Sequence, residues 1–124
     1  MEKFFKLKEH GTTTSTEIIA GITTFLSMVY ILAVNPNILS AAGMDGAAVF
    51  TATAVSATVA TLFMAFFANY PVALASGMGL NAYFAYSVCI PMAKAGINDP
   101  WKIALAAVLI EGIVFVLLSL TSFR

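Results

Sequence analysis

The sequence predicts an all-α membrane protein with four transmembrane segments, the third being a short extended strand followed by a half-helix. Hydrophobic residues make up 60% of the 124 residues and charged ones 10%, which excludes an ordinary soluble domain. Between Asp45 and Lys94, 48 consecutive residues carry no charge. Pro71, Gly77 and Gly79 lie near the middle of that run. Broken backbone at membrane depth survives only where protein or a polar cavity surrounds it, so this segment is expected to be buried and functional.

Residues 1–16 are predicted to form a basic leader on the cytoplasmic membrane surface, because three lysines stand there beside apolar side chains. The first transmembrane helix is predicted over 17–34. Thr14 and Glu17 have the spacing of a capping box at its start. Asn35-Pro36 is expected to end it, since proline disfavours helical backbone in the preceding residue. The alternative is a cleaved signal peptide, but the apolar stretch is long for one and further membrane segments follow.

The second segment, predicted over 47–67, has small residues at every fourth position. Small side chains at this spacing let helix backbones approach closely in lipid, so we expect this helix to be packed among others. The residues in question are Thr53, Ala57, Thr61 and Ala65.

The third segment, 71–95, is predicted to be broken. Larger and smaller side chains alternate over 72–77, a period of two that suits an extended strand. A helix is expected over 79–90, where Pro91 kinks or ends it. Twelve helical residues extend roughly 18 Å, a little over half the hydrocarbon thickness. The half-helix is therefore expected to begin near the membrane midplane.

The fourth segment is predicted over 101–119, with Asn98 or Asp99 as its cap and Pro100 at its first position. Four crossings place the leader lysines and Arg124 on one side of the membrane and Lys94 and Lys102 on the other. The majority of positive charge is expected inside, so the sequence predicts a multi-pass protein of the cell membrane with a cytoplasmic N-terminus.

The strongest candidate site is the junction Gly77, Met78, Gly79 and Asn81. The first N–H groups of a helix lack intrahelical partners and carry partial positive charge. Glycine lets a flat ligand approach the backbone, and the Asn81 amide offers both a donor and an acceptor. These features suit an uncharged, hydrogen-bonding heterocycle. A glycine-packed kink with Asn81 as a local cap explains the residues equally well at this stage.

Glu111 is the second candidate, because an ionisable residue near the middle of a membrane helix is costly and indicates function. It either relays a proton or, protonated or paired, locks helices together. Other chemistry is not indicated. Zero net charge without a basic block argues against nucleic acid as a partner, and the single Cys89 argues against a disulfide framework or cysteine zinc site. No catalytic constellation, cofactor motif or metal site is predicted.

Two stretches carry a resemblance to a known family, namely TEIIAGITTFLSMVYILAVNP at 16–36 and ASGMGLNAYFAY at 75–86. They closely resemble the AzgA-like purine (hypoxanthine, guanine, adenine) permeases, in the xanthine/uracil permease group of nucleobase–cation symporters. The resemblance implies a fold of two inverted repeats, in which the third segment of each repeat meets the substrate. It implies that Asn81 hydrogen-bonds a purine, that the backbone of 77–79 lines the site, and that Thr24 faces the substrate.

Two departures qualify the resemblance. Ser76 stands where many relatives have proline, and the acidic residues that clamp the base in the family come from a second repeat. We therefore expect this chain to be an N-terminal portion, 17–124 forming part of the first repeat. The expected partners are a purine nucleobase, a coupling cation (a proton), membrane lipid, the C-terminal part of the transporter and a second copy in a homodimer. The alternatives are a homo-oligomeric four-helix protein, such as a drug exporter that uses Glu111, and a membrane anchor.

Overall fold

The computed structural model describes residues 7, 11–68, 70 and 72–121. In this part of the chain every regular element is helical, which confirms the all-α prediction. The elements, in chain order, are α1 (Thr14–Met28), α2 (Ile31–Ser40), α3 (Gly46–Phe63), a π-helix (Met64–Ala68), α4 (Met78–Ala82), a second π-helix (Tyr83–Cys89), α5 (Ile90–Lys94) and α6 (Pro100–Leu120). Of the predicted basic leader, residues 1–6 and 8–10, which include its three lysines, lie outside the described residues, as do Pro71 and Arg124; the helix begins at Thr14, within the predicted leader.

Three helical stretches within these ranges are long and apolar enough to cross a membrane: Thr14–Ser40, Gly46–Ala68 and Pro100–Leu120. The helical run that begins at Met78 and ends at Lys94 is shorter than these three but longer than the predicted 79–90. The four-crossing topology, which counts this broken segment as a span, stays a prediction.

The prediction that Asn35-Pro36 ends the first helix is wrong. Pro36 lies inside α2, and helical structure continues to Ser40. The irregularity lies earlier, at Val29 and Tyr30, where the N–H groups of Leu32 and Ala33 bond to carbonyls only three residues back. Proline lacks an N–H and crowds the carbonyl four residues before it, which bends a membrane helix without stopping it. The first span is therefore a pair of consecutive helices, α1 and α2, and exceeds the predicted 17–34.

The caps of the helices also differ in detail from the expected ones. Thr13, not Thr14, caps α1, since its Oγ1 accepts from the N–H of Thr16 at 3.3 Å. Helix α3 is capped by Asp45, whose Oδ1 accepts from the N–H of Ala48 at 2.7 Å. Asp99 precedes α6 in a left-handed conformation (φ 48°, ψ 53°) and its side chain makes no cap. It pairs instead with the ammonium of Lys102.

The broken segment is held by a side chain of α3. Residues 72–77 have no regular structure, and no strand is formed anywhere in the described ranges, so the strand part of the prediction is not confirmed. Thr61 contacts the backbone of Leu74 twice. Its Oγ1 accepts from the Leu74 N–H at 3.0 Å and donates to the Leu74 carbonyl at 3.4 Å. A threonine hydroxyl thus pairs the backbone N–H and carbonyl of Leu74, which a neighbouring strand would pair in a sheet.

The half-helix differs from the prediction at both ends. It begins at Met78, with Gly77 as its N-cap residue, and passes Pro91 to end at Lys94. The π-helix ends at Cys89, two residues before Pro91, and the N–H of Ile90 bonds to the Ala85 carbonyl five residues back.

A small core joins the half-helix to its neighbours. It consists of the buried residues Ala42, Ala85, Cys89 and Ala104, with Ile38, Phe84, Val88 and Trp101 packed against them. Most other large apolar side chains are exposed, including Phe115 at 74% and Leu120 at 77%. Such surfaces are stable only against lipid or further protein. This part of the chain is thus shaped to be covered by one or both.

Candidate functional site

The candidate site is the start of the half-helix at Met78. The first intrahelical backbone bond runs from the N–H of Asn81 to the carbonyl of Gly77 at 3.1 Å. No side chain caps this helix, so among the described residues the N–H groups of Met78, Gly79 and Leu80 have no partner. Three free donors at a helix start form a site for an electronegative atom.

The two glycines leave this helix start open. Gly77 has φ −78° and ψ 117°, a conformation that any residue can adopt, and Gly79 does not have positive φ. A Cβ added at Gly79 would meet no atom within 4 Å, and one at Gly77 would meet only the side chain of Leu80 at 3.9 Å. The backbone conformation therefore does not require glycine here. What glycine contributes is an uncovered backbone surface, which is the property that a ligand site needs.

The Asn81 side chain belongs to a chain of three polar residues on three helices. Asn81 Nδ2 donates to Asn35 Oδ1 of α2, and Asn35 Nδ2 donates to Thr53 Oγ1 of α3 at 2.7 Å. Asn35 is 3% exposed and Thr53 is 6% exposed, whereas Asn81 is half-buried. Buried polar groups are costly unless they are hydrogen-bonded, and this chain pairs them. The local-cap explanation of Asn81 is wrong, because its amide bonds to another helix.

Sequence reasoning did not identify Asn35 and Thr53 as parts of the site. It took Asn35 as a helix stop because of Pro36, and Thr53 as one of the small packing residues of the second helix. A signal was present nonetheless: an asparagine inside an otherwise apolar membrane span needs a buried hydrogen-bond partner. Which residue supplies that partner could not be seen, because Thr53 is 18 residues away in sequence and Asn81 is 46.

Thr24 does not join Asn81. Its hydroxyl donates to the carbonyl of Ala20 in its own helix at 2.9 Å, as membrane threonines commonly do. Thr24 lines a mostly apolar groove of about 500 Å³ between the first helix, α3 and the broken segment. Among the residues described, the lining of this groove includes neither Asn81 nor Gly77, Met78 and Gly79. The structure thus separates Thr24 from the other predicted site residues.

Glu111 lies in the middle of α6, and its side chain is exposed. Within the described ranges it makes no hydrogen bond or ion pair. Only Pro100 and Ala104 of this helix are buried, so the surface that carries Glu111 is not covered by these helices. Neither the relay nor the lock explanation is tested by this arrangement.

Uncovered apolar spans around a broken, glycine-rich helix start are features of membrane transport proteins rather than of enzymes. The sequence model described as the Permease family, that of the xanthine/uracil permeases, matches residues 15–124. The chain therefore belongs to this family of multi-pass membrane transporters. No solved structure matches it.

Individual relatives give the same result. The chain is 49% identical over 124 residues to the adenine permease AdeP of Escherichia coli, and 51% identical over 120 residues to the guanine/hypoxanthine permease PbuO of Bacillus subtilis. These alignments cover 100% and 97% of this chain but 27% of each relative. The chain thus spans about a quarter of the length of the relatives it matches.

Proposed function

We propose that this chain is the N-terminal part of a secondary transporter that carries a purine nucleobase across the cell membrane. The family and the names of its relatives support a nucleobase as the substrate. The observation that carries the proposal is the half-helix start, where free backbone donors and the Asn81 amide stand beside uncovered glycine backbone. A purine is flat, uncharged and bordered by hydrogen-bond donors and acceptors, and it matches such a surface.

In this proposal each part of the junction has a separate role. The N–H groups of 78–80 donate to a ring nitrogen or carbonyl oxygen of the base. Gly79 admits the ring to the backbone, and Asn81 bonds to its edge. The groups face a substrate near the membrane midplane, where no water competes for these bonds.

This chain supplies one wall of the site, and the rest of the transporter supplies the other. Inverted-repeat carriers place their substrate between two halves, so the described helices bind it only in part. We propose a proton as the coupling cation and a cytoplasmic N-terminus. Glu111 is the carboxylate at mid-span in the described part, and it serves either as a proton relay or as a lock between helices.

The test is uptake of radiolabelled adenine, guanine and hypoxanthine by cells without purine transport that express the open reading frame containing this chain. Asn81→Ala should raise KM by about 5- to 150-fold, the equivalent of about 1–3 kcal/mol of lost hydrogen bonding, at unchanged surface level. Asn37→Ala is the matched control, since the Asn37 amide is exposed and bonds to its own helix at Ala33. Absence of purine uptake in the wild type would refute the function, and an unchanged KM would remove Asn81 from the site.

A further inference from the structure

We infer that Asn35 and Thr53 are positioning residues that turn the Asn81 amide so that its Oδ1 faces the ligand. Asn81 Oδ1 then accepts a hydrogen bond from a donor on the purine, either a ring N–H or an exocyclic amino group. This inference rests on the proposed function. It adds the direction of the hydrogen bond between Asn81 and the purine, and the residues that determine that direction.

The direction follows from the placement of the amide oxygen and nitrogen atoms in the structure, because the Thr53 hydroxyl itself can donate as well as accept. A primary amide has one accepting oxygen and one donating nitrogen. Asn35 uses its nitrogen on Thr53 Oγ1, so the atom it turns toward Asn81 is its oxygen. An oxygen can only accept, and Asn81 therefore must offer Nδ2 to it. The other end of the Asn81 amide, Oδ1, can therefore accept a hydrogen bond from a ligand.

Asn81 Oδ1 is not fully buried and has no partner among the described residues. Among the described residues Asn81 donates to Asn35 and makes no other side-chain hydrogen bond. In the same part of the chain, no fully buried side-chain nitrogen or oxygen lacks a partner. Oδ1 has none and is therefore not fully buried. An acceptor that is not fully buried, within one turn of the uncovered Gly79 backbone, lies where a flat ligand would be held.

Thr53 and Asn35, which orient the Asn81 amide, lie away from the proposed ligand. Thr53 lies in α3 and is 6% exposed, and Asn35 in α2 is 3% exposed, so neither contacts a ligand at the open helix start. Their effect reaches the ligand through Asn81. If both amides were reversed, Asn81 would present Nδ2 and select an acceptor on the purine instead. The two orientations therefore make opposite predictions about which purine analogues bind.

The experiment uses the complete transporter, with KM for the purine that the wild type carries, normalised to surface level. Thr53→Val keeps the side-chain shape and removes the hydroxyl, so KM should rise about two- to tenfold. Thr53→Ser should restore it. Thr51→Val is the matched control, because the Thr51 hydroxyl bonds to the Ala47 carbonyl of its own helix. Asn35→Ala is a second variant with the same expected rise, in case Thr53→Val is poorly expressed.

Two readouts separate positioning from general damage to the fold. In an Asn81→Ala background, Thr53→Val should raise KM no further, because its effect passes through Asn81. Competition assays use purine analogues that each lack one N–H donor, through N-methylation or loss of the amino group. For at least one of these donors, its loss should weaken binding to the wild type and leave binding to Asn81→Ala unchanged. Deaza analogues, which lack one ring acceptor, should lose the same factor in both proteins.

Several outcomes would overturn the inference while purine uptake by the wild type upholds the proposed function. One is an unchanged KM in both Thr53→Val and Asn35→Ala. Another is a rise in KM from Thr53→Val that persists in the Asn81→Ala background. A third is that Asn81→Ala removes the loss of affinity for a deaza analogue and not that for an analogue lacking a donor. Failure of the wild type to carry any purine refutes the proposed function itself, and the inference with it.

Discussion

Replacement of Thr61 by valine should weaken the broken segment, because among the described residues the Thr61 side chain is the one that hydrogen-bonds to its backbone. Thr61 Oγ1 accepts from the Leu74 N–H at 3.0 Å, a normal hydrogen bond, and contacts the Leu74 carbonyl at 3.4 Å, the limit for one. Valine has the same branched shape, so packing is kept and only these contacts are lost. The contact is exposed among the described residues, so the loss is felt where the rest of the transporter covers it and keeps water away. An orphaned donor costs about 1–3 kcal/mol, and the longer contact adds little.

The measurement is the free energy of unfolding of the complete protein in mixed detergent micelles, titrated with sodium dodecyl sulfate. Thr58→Val is the matched control, one turn earlier on α3 and on the same groove, since its hydroxyl bonds to the Ala54 carbonyl of its own helix. Thr61→Val should lose about 1–3 kcal/mol relative to wild type, with the control near zero and Thr61→Ser close to wild type. Equal stability of the two valine variants would show that Thr61 does not hold the segment.

Three further predictions concern the site, the acidic residue and the topology. Gly79→Val should abolish purine uptake at normal surface level, because a Cβ there meets no atom of the described residues within 4 Å and extends into the space proposed for the ligand; wild-type KM would exclude contact with this backbone. Glu111→Gln should leave the protein folded while Glu111→Lys prevents assembly, as measured by surface level, since an unpaired cation costs about 3 kcal/mol at a helix centre. Loss of proton-driven accumulation in the Gln variant with purine binding retained would favour the relay. Cysteines placed in the leader should be protected from an impermeant thiol reagent in intact cells, in agreement with a cytoplasmic N-terminus; labelling would reverse the topology.

Local signals in the sequence were sufficient for the class of protein and for the position of the break. A charge-free run is tolerated only in lipid or inside protein, and the glycines of 77–79 mark where a helix can begin with uncovered backbone. These properties depend on neighbouring residues alone. They predicted helical structure on both sides of the break, and the helix that follows the break begins at Met78, one residue before the predicted Gly79.

The same local rules failed where tertiary contacts compete with them. Pro36 disfavours helical backbone at Asn35, yet the helix continues, and the amide of Asn35 is held between α3 and α4 by hydrogen bonds to Thr53 and Asn81. The interhelical bonds and packing offset a local preference of the backbone. Thr24, for which the resemblance implies a contact with the substrate, lines a groove whose lining does not include Asn81, and its role stays a prediction.

The sequence by itself determined that this chain belongs in a membrane and that its helical structure is interrupted before Met78, because hydropathy and backbone chemistry act between near neighbours. Only the tertiary structure decided which polar groups meet. The Asn81 amide is oriented by a residue 46 positions away, and the Leu74 backbone is held by one 13 positions away. Hydrogen bonds of this kind depend on how helices cross, and a pattern along one helix does not contain that information.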